Sequence, residues 1–294
     1  MNEPEATTPR TTRLRELVGG PEVLVAPGAQ DALSAILVER AGFDAVFVGD
    51  YNASAVLLGR PDYGLVTLTE MVDLVARITA VTTIPLIADG GCGFGNALNV
   101  MRTVEAYERA GAAGITIEDQ VFPKRCGHME GKQVVPVQEM AAKIGAAVRA
   151  RNDPDLVIVA RTDSIYTGGM DEAVARGQAF ADAGADAFWA DAVPSLDDLA
   201  RLVGDVPLPV QVAMIEGGKT PHSTRAQLQE IGVAIELCGL TTLYAAAGGI
   251  RHALETLRAD GITRGALDRM ITFTEFNELV GFPALQQLER ELRA

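Results

Sequence analysis

Ala110-Gly111-Ala112-Ala113-Gly114-Ile115-Thr116-Ile117-Glu118-Asp119-Gln120 is the stretch on which the fold turns. The Ala110-Gly111 step ends a helical run, with Gly in the left-handed position that follows a last helical turn. Gly114–Ile117 is then a short apolar run of β type that stops at a pair of carboxylates. The same join of helix, Ala-Gly and strand recurs at Ala41-Gly42 and Ala183-Gly184. Outward from these joins, eight strands are legible: Val23–Ala26, Ala45–Val48, Ile84–Ala88, Gly114–Ile117, Leu156–Ala160, Ala187–Ala190, Pro209–Met214 and Val233–Leu237.

Helical periods fill the gaps. Leu68–Thr79 places Met71, Leu74, Val75 and Ile78 on one face at the i, i+3, i+4, i+7 spacing. Asp31–Arg40 does the same with Leu33, Ile36 and Leu37. Asn96–Ala110, Val137–Arg151, Asp171–Ala183, Leu196–Val203, Thr224–Ile231 and Thr242–Ala259 complete the series. Strict alternation predicts a parallel sheet, and eight units without a reversal favour a closed (β/α)8 TIM-type barrel over an open sheet. No Gly-x-Gly-x-x-Gly follows the first strand, which weakens a dinucleotide-binding fold. Residues 264–294 lie beyond the eighth unit as one or two extra helices. No linker divides the chain, so a single domain spanning 1–294 is expected.

The chain has 294 residues and a net charge of −14. That charge disfavours nucleic acid, whose phosphates need Lys and Arg, but not an anionic substrate held through a divalent cation. The first twelve residues are polar and lack the apolar core of a signal peptide. The longest apolar runs, such as Leu156–Ala160, are far too short to cross a bilayer. Cys92, Cys126 and Cys238 are scattered and odd in number, which predicts no disulfide framework and a reducing, cytoplasmic setting.

In such a barrel the chemistry gathers at the C-terminal strand ends. Those ends read Gly49-Asp50-Tyr51-Asn52, Asp89-Gly90-Gly91, Glu118-Asp119-Gln120, Arg161-Thr162-Asp163, Trp189-Ala190-Asp191 and Glu216-Gly217-Gly218-Lys219. Singly, Asp89 and Glu118 fit a helix cap or an ion pair as well as a metal. At adjacent rim positions the pair points to Mg²⁺ or Mn²⁺, because hard oxygen donors without clustered His or Cys suit those ions. The fourth strand is followed by a long loop, Val121–Val135, carrying Lys124, Arg125, Cys126, Gly127, His128 and Lys132. Nearby positive charge favours a thiolate, which suits a general acid/base or a nucleophile. An exposed loop with an incidental thiol is an equal reading from composition. Trp189 reads equally as pocket lining or packing. His222 and His252 lack partners at ligand spacing, and Cys92 and Cys238 read as packing residues.

The ordered set Pro61-Asp62-Tyr63-Gly64, Asp89…Gly93-Phe94-Gly95-Asn96, Ile117-Glu118-Asp119-Gln120, Lys124-Arg125-Cys126-Gly127-His128, Ala160-Arg161-Thr162-Asp163 and Glu216-Gly217-Gly218-Lys219-Thr220-Pro221 resembles the isocitrate lyase/phosphoenolpyruvate mutase superfamily. Within it the chain looks closest to the 2-methylisocitrate lyase and carboxyphosphonoenolpyruvate mutase branches. The resemblance implies Mg²⁺ held by Asp89, with Asp62 and Glu118 acting partly through waters. It also implies a retro-aldol lyase of a small 2-hydroxy di- or tricarboxylate. Cys126 would exchange the proton, flanked by Lys124, Arg125 and His128, and Arg161 would bind a carboxylate or oxyanion. Asp50, Tyr51, Asn52, Gly127 and Asp191 would face the substrate. The C-terminal helices would be exchanged between partners in a homotetramer built of two such dimers. P–C bond mutase, 2-oxo acid decarboxylase or hydrolase, and a non-catalytic binding protein are the competing readings.

The sequence departs from the family pattern at the pocket. Gly91 stands where relatives carry a second Asp, the second strand ends in the bulky anionic Gly49-Asp50-Tyr51-Asn52, Asp191 replaces a Glu, and Ala213 replaces an Asn. A re-shaped pocket is expected, with Asp50 filling the space opened at Gly91.

Overall fold

Eight parallel strands pair in the order β1-β8-β7-β6-β5-β4-β3-β2. The computed structural model describes residues 8–293 apart from 128 and 130, so the expectation for His128 lies outside the described residues. The strands are β1 (Leu24–Pro27), β2 (Val46–Val48), β3 (Leu86–Asp89), β4 (Gly114–Glu118), β5 (Val157–Thr162), β6 (Ala187–Ala190), β7 (Val210–Ala213) and β8 (Ile235–Cys238). Gly28 bridges to Phe47 just past β1, and Ala29 N–H donates to Phe47 O at 2.8 Å, which joins β1 to β2 and closes the ring. The (β/α)8 TIM-type barrel read from sequence is therefore the observed architecture.

The helices are α1 (Arg10–Val18), α2 (Ala32–Arg40), α3 (Asp50–Ala53), α4 (Leu68–Thr79), α5 (Ala97–Arg109), α6 (Val137–Ala150), α7 (Ile165–Asp182), α8 (Leu196–Asp205), α9 (Arg225–Ile231), α10 (Thr241–Asp260), α11 (Phe273–Leu279) and α12 (Phe282–Arg293). Gly111, at the join of α5 and β4, has φ +90°, a conformation that a Cβ penalises. Local chemistry fixes several starts. Thr67 and Glu70, for example, cap α4 reciprocally through each other's backbone N–H. Two elements differ from expectation. α1 lies before the first strand, where no helix was foreseen, and α3 continues into a π-helical turn, Ser54–Leu58, where none was foreseen either.

Alternation along each strand sorts side chains into two layers. Val46, Val48, Ile115, Ile117, Ile158, Val210 and Val212 pack outward beneath the helices. Phe47, Ile87, Val157, Val159, Trp189, Ala213, Ile235 and Leu237 fill the barrel interior together with Leu14 of α1. Leu14 is fully buried against Gly114, where an added Cβ would sit 2.8 Å from Leu14 Cδ2. The chain divides into two compact units, Met1–Thr241 and Thr242–Ala294. The first holds the barrel. The second is helical, and its helices α10 and α12 contain no buried residue.

Candidate active site

At the C-terminal rim of the barrel a cavity is lined by Tyr51, Asn52, Asp62, Asp89, Cys126, Gly127, Arg161 and Asp191 among others. These eight were all singled out in sequence, and they come from strand ends, loops and the short helix α3, between residues 51 and 191. Of four other predicted residues, three stand just behind the wall and one outside it. Asp50, Glu118 and Lys124 are buried, and Arg125 is half-buried outside the cavity with its guanidinium 5.5 Å from the Tyr63 ring centre.

The carboxylates cluster on one side. Asp50 N–H donates to Asp89 Oδ2 at 3.3 Å, and Gly91 N–H donates to Asp89 Oδ1 at 2.9 Å. A Cβ built on Gly91 would lie 3.0 Å from Asp50 Oδ2, so the Asp50 carboxylate occupies the space a side chain at 91 would take. Lys124 Nζ bridges Asp50 Oδ2 and Asp62 Oδ2, each at 2.9 Å. Burial, reinforced by the Asp89 charge, pushes the Asp50 carboxyl up to about 7. Burial likewise raises Glu118 to about 8 against the opposing pull of Arg161 and Lys124. For Lys124 burial works the other way, yet Asp50, Glu118, Asp62 and Asp89 outweigh it and hold the ammonium firmly charged.

This donor set fits a divalent cation. Asp50 Oδ1 and Asp62 Oδ1 are buried without a hydrogen-bond partner, and an unpaired buried carboxylate oxygen is costly unless a cation or donor meets it. No three of the described carboxylates converge as a ready-made cage. Mg²⁺ does not need one, because it keeps several of its waters.

Arg161 is the cation of the cavity wall. Its Nε lies 3.0 Å from Asp163 Oδ2 and 3.4 Å from Glu118 Oε2, its Nη2 lies 3.3 Å from Asp191 Oδ2, and its guanidinium stacks 4.3 Å from the Trp189 ring centre. Trp189 thus both lines the cavity and fixes Arg161. Asp119 holds the ends of β4 and β5 together, accepting from Thr162 Oγ1 at 2.6 Å, Asp163 N at 3.0 Å and Arg176 Nη1 at 2.9 Å.

The lid is tied at its base by Val121 N–H to Gln133 O and Val135 N–H to Asp119 O, both 2.8 Å. Gln120 clasps Arg125 in both directions, accepting from its N–H at 3.0 Å and donating to its carbonyl at 2.8 Å. Lys132, buried, reaches from the lid to Asp163 at 3.0 Å and to the Gly127 carbonyl. Gly127 has no room for a side chain, since a Cβ there would fall 1.5 Å from Asp191 Oδ2. The glycine after Cys126 is what lets the lid backbone reach Arg161 and Asp191. Cys92 is a packing thiol whose Sγ–H donates to Glu118 Oε1 at 3.5 Å, and burial pushes it far up. Cys238 is partly exposed and bonds Glu236, and burial raises its thiol to about 12.

Gly49, Trp189 and Ala213, also marked in sequence, line the cavity as well, whereas its other apolar residues were not foreseen. Phe47, Ile215, Leu237 and Leu240 join Ala213 in an apolar face. Period-two alternation along β2 and β8 was the signal that could have found Phe47 and Leu237.

Residues 14–258 match the phosphoenolpyruvate phosphomutase family. The chain is 43% identical to 2,3-dimethylmalate lyase of Eubacterium barkeri, over 94% of this chain and 96% of that one. The chain belongs to the isocitrate lyase/phosphoenolpyruvate mutase superfamily. It is also 40% identical to a 2-methylisocitrate lyase of Aeropyrum pernix, over 95% of this chain and 90% of that one. Among solved structures it is similar to a phosphonopyruvate hydrolase in complex with oxalate and Mg²⁺, with a TM-score of 0.88 at 31% identity, over 96% of this chain and 99% of that one. Lyases, mutases and hydrolases are thus all among its relatives.

Proposed function

We propose that this chain is a Mg²⁺-dependent lyase that cleaves a C–C bond in a small 2-hydroxy di- or tricarboxylate, with Mn²⁺ able to serve in place of Mg²⁺. The observation that carries the reading is the presence of Cys126, Arg161 and Asp89 in one cavity beneath a lid. Kinship with 2,3-dimethylmalate lyase and 2-methylisocitrate lyase supports it. Asp89 would be the principal ligand, with Asp62 and Glu118 beside it and Asp50 supplying the carboxylate that Gly91 cannot. The bound cation supplies a Lewis acid for the oxygens of the 2-oxo fragment.

In the retro-aldol step the C2 hydroxyl loses its proton to a rim carboxylate. The C2–C3 bond breaks, and its electron pair stays on C3 next to the departing carboxylate. Arg161, preset by Asp163 and Asp191, offsets the charge that develops there. The Cys126 thiol gives its proton to C3, and the closed lid keeps water from the carbanion. Lys124 acts from behind the cavity by neutralising Asp50 and Asp62.

The exposed apolar residues of the second unit, including Phe273 at 85% and Leu292 at 79%, favour burial against a second copy of the chain, as in a homotetramer of helix-exchanged dimers. Three cysteines outside any disulfide suit a reducing cytoplasm.

A panel of 2-alkylmalates, 2-methylisocitrate, oxaloacetate and phosphonopyruvate, incubated with Mg²⁺, tests the reading. Release of a 2-oxo acid that disappears in Cys126→Ser and persists in Cys238→Ser supports the lyase. Cleavage of phosphonopyruvate or oxaloacetate instead would assign the mutase or hydrolase branch. No turnover, with thermal stability indifferent to EDTA, would leave a binding protein.

A further inference from the structure

β7 carries an unexplained polar residue beneath the pocket floor. Val210 and Val212 pack outward under the helices, so the alternate residues Gln211 and Ala213 face the barrel interior. Ala213 lines the cavity, and Gln211 lies one inward position below it, 1% exposed. Gln211 is in register with Trp189 of β6 on one side and Ile235 of β8 on the other. Gln211 Nε2, Gln211 Oε1 and Trp189 Nε1 are all buried and all lack a hydrogen-bond partner.

Buried polar groups are normally paired, and an orphaned amide is a standing cost to the fold. Here two donor nitrogens and one acceptor oxygen stand on neighbouring strands, one inward layer below the alanine that lines the cavity. The cavity above Gln211 is apolar on this side, at Phe47, Ala213 and Leu237. Among the described lining residues Arg161 is the cation, and it is engaged by Asp163, Asp191 and Glu118. A further carboxylate would be poorly compensated there. A neutral hydroxyl matches the inventory, since it can accept from an N–H and donate to the Gln211 carbonyl.

We infer that Gln211 is a specificity-determining residue which, with the Trp189 indole N–H, forms a subsite for a neutral hydroxyl group on the substrate's branch. The inference rests on the lyase reading above. The same chemistry is met by a resident water when the branch is purely alkyl, and the two sources separate experimentally.

The test compares 2-ethylmalate with its near-isostere 2-(hydroxymethyl)malate, and the corresponding pair branched at C3, in the Mg²⁺-loaded enzyme. The wild type should favour the hydroxyl-bearing member in kcat/KM. Gln211→Met, which keeps the volume and removes the amide, should lower that preference roughly tenfold, and Trp189→Phe should lower it in the same direction. Tm of Gln211→Met should hold or rise, because an orphaned amide is lost, whereas a purely structural glutamine would lower it. A preference unchanged in both variants overturns the subsite and leaves the amide to a resident water. Should Gln211→Met not fold, the Trp189→Phe ratio decides. If no malate is turned over the lyase reading fails by itself, and the ratio is then read from calorimetric Kd values of the same compounds.

Discussion

The two sides of the cavity are built on opposite principles. From β2 to β5 the rim holds Asp50, Asp62, Asp89 and Glu118, balanced by Lys124 and Arg161 through ion pairs and tied by backbone N–H bonds. From β7 round to β2 the wall is Phe47, Ala213, Ile215, Leu237 and Leu240, set by packing alone. In the proposed reaction the charged side chains at strand ends would fix where bonds are made and broken, and the apolar ones what shape of substrate arrives there. A superfamily can then keep its reaction while changing its substrate, because the two tasks lie on different strands.

That division predicts unequal effects. On the charged side Arg161→Lys should cost ~10²–10³-fold in kcat, since a single ammonium cannot reproduce the planar fork held by Asp163 and Asp191. Near-normal turnover would show that the charge geometry is not what matters. Gly127→Ala should follow, with kcat down about 10²-fold because the lid backbone must move away from Asp191 and Arg161, and little change in Tm if the lid alone shifts. Measuring kcat and thermal unfolding together separates a mis-set lid from a damaged fold.

Asp50→Ala should weaken Mn²⁺ binding by ~10–100-fold in calorimetry. Asp50→Ala combined with Gly91→Asp should regain part of that loss, whereas Gly91→Asp alone places two carboxylates in one space and should not. On the apolar side the effect is smallest. Ala213→Asn should shift preference among malates by about tenfold while leaving Mn²⁺ affinity unchanged. A large drop in metal binding there would erase the distinction between the two sides.

Much of this was legible in sequence, because it is periodic or local. The strands followed from short apolar runs closed by Ala-Gly joins, and the carboxylates were visible because they stand where those runs end. α1 was missed because Leu14 and Val18 are interleaved with Arg and Glu, and only the barrel bottom shows what Leu14 plugs. The helical turn at Asp50–Leu58 was missed because Gly49-Asp50-Tyr51-Asn52 reads as a loop. Pairings across the fold have no signature in spacing. The bond from Lys124 to Asp62 spans 62 positions and that from Arg176 to Asp119 spans 57. Gln211 was hidden for another reason: the run Pro209–Met214 gives no sign of which member faces the barrel interior until Val210 and Val212 are seen beneath the helices. The expected place of Asp50 did emerge, its carboxylate lying over Gly91 beside Asp89.

The central claim is that the lid cysteine delivers a proton to the carbon released when a C–C bond breaks on the charged side. Cleavage of a 2-alkylmalate in D₂O with Mg²⁺, followed by mass spectrometry of both products, tests it most directly. The account predicts one 2-oxo acid and one carboxylic acid per substrate. The carboxylic acid should carry a single deuterium on the former C3, and both products should be lost in Cys126→Ser. Release of CO₂ without fragmentation at C2–C3, or undiminished deuterium delivery in Cys126→Ser, would contradict it.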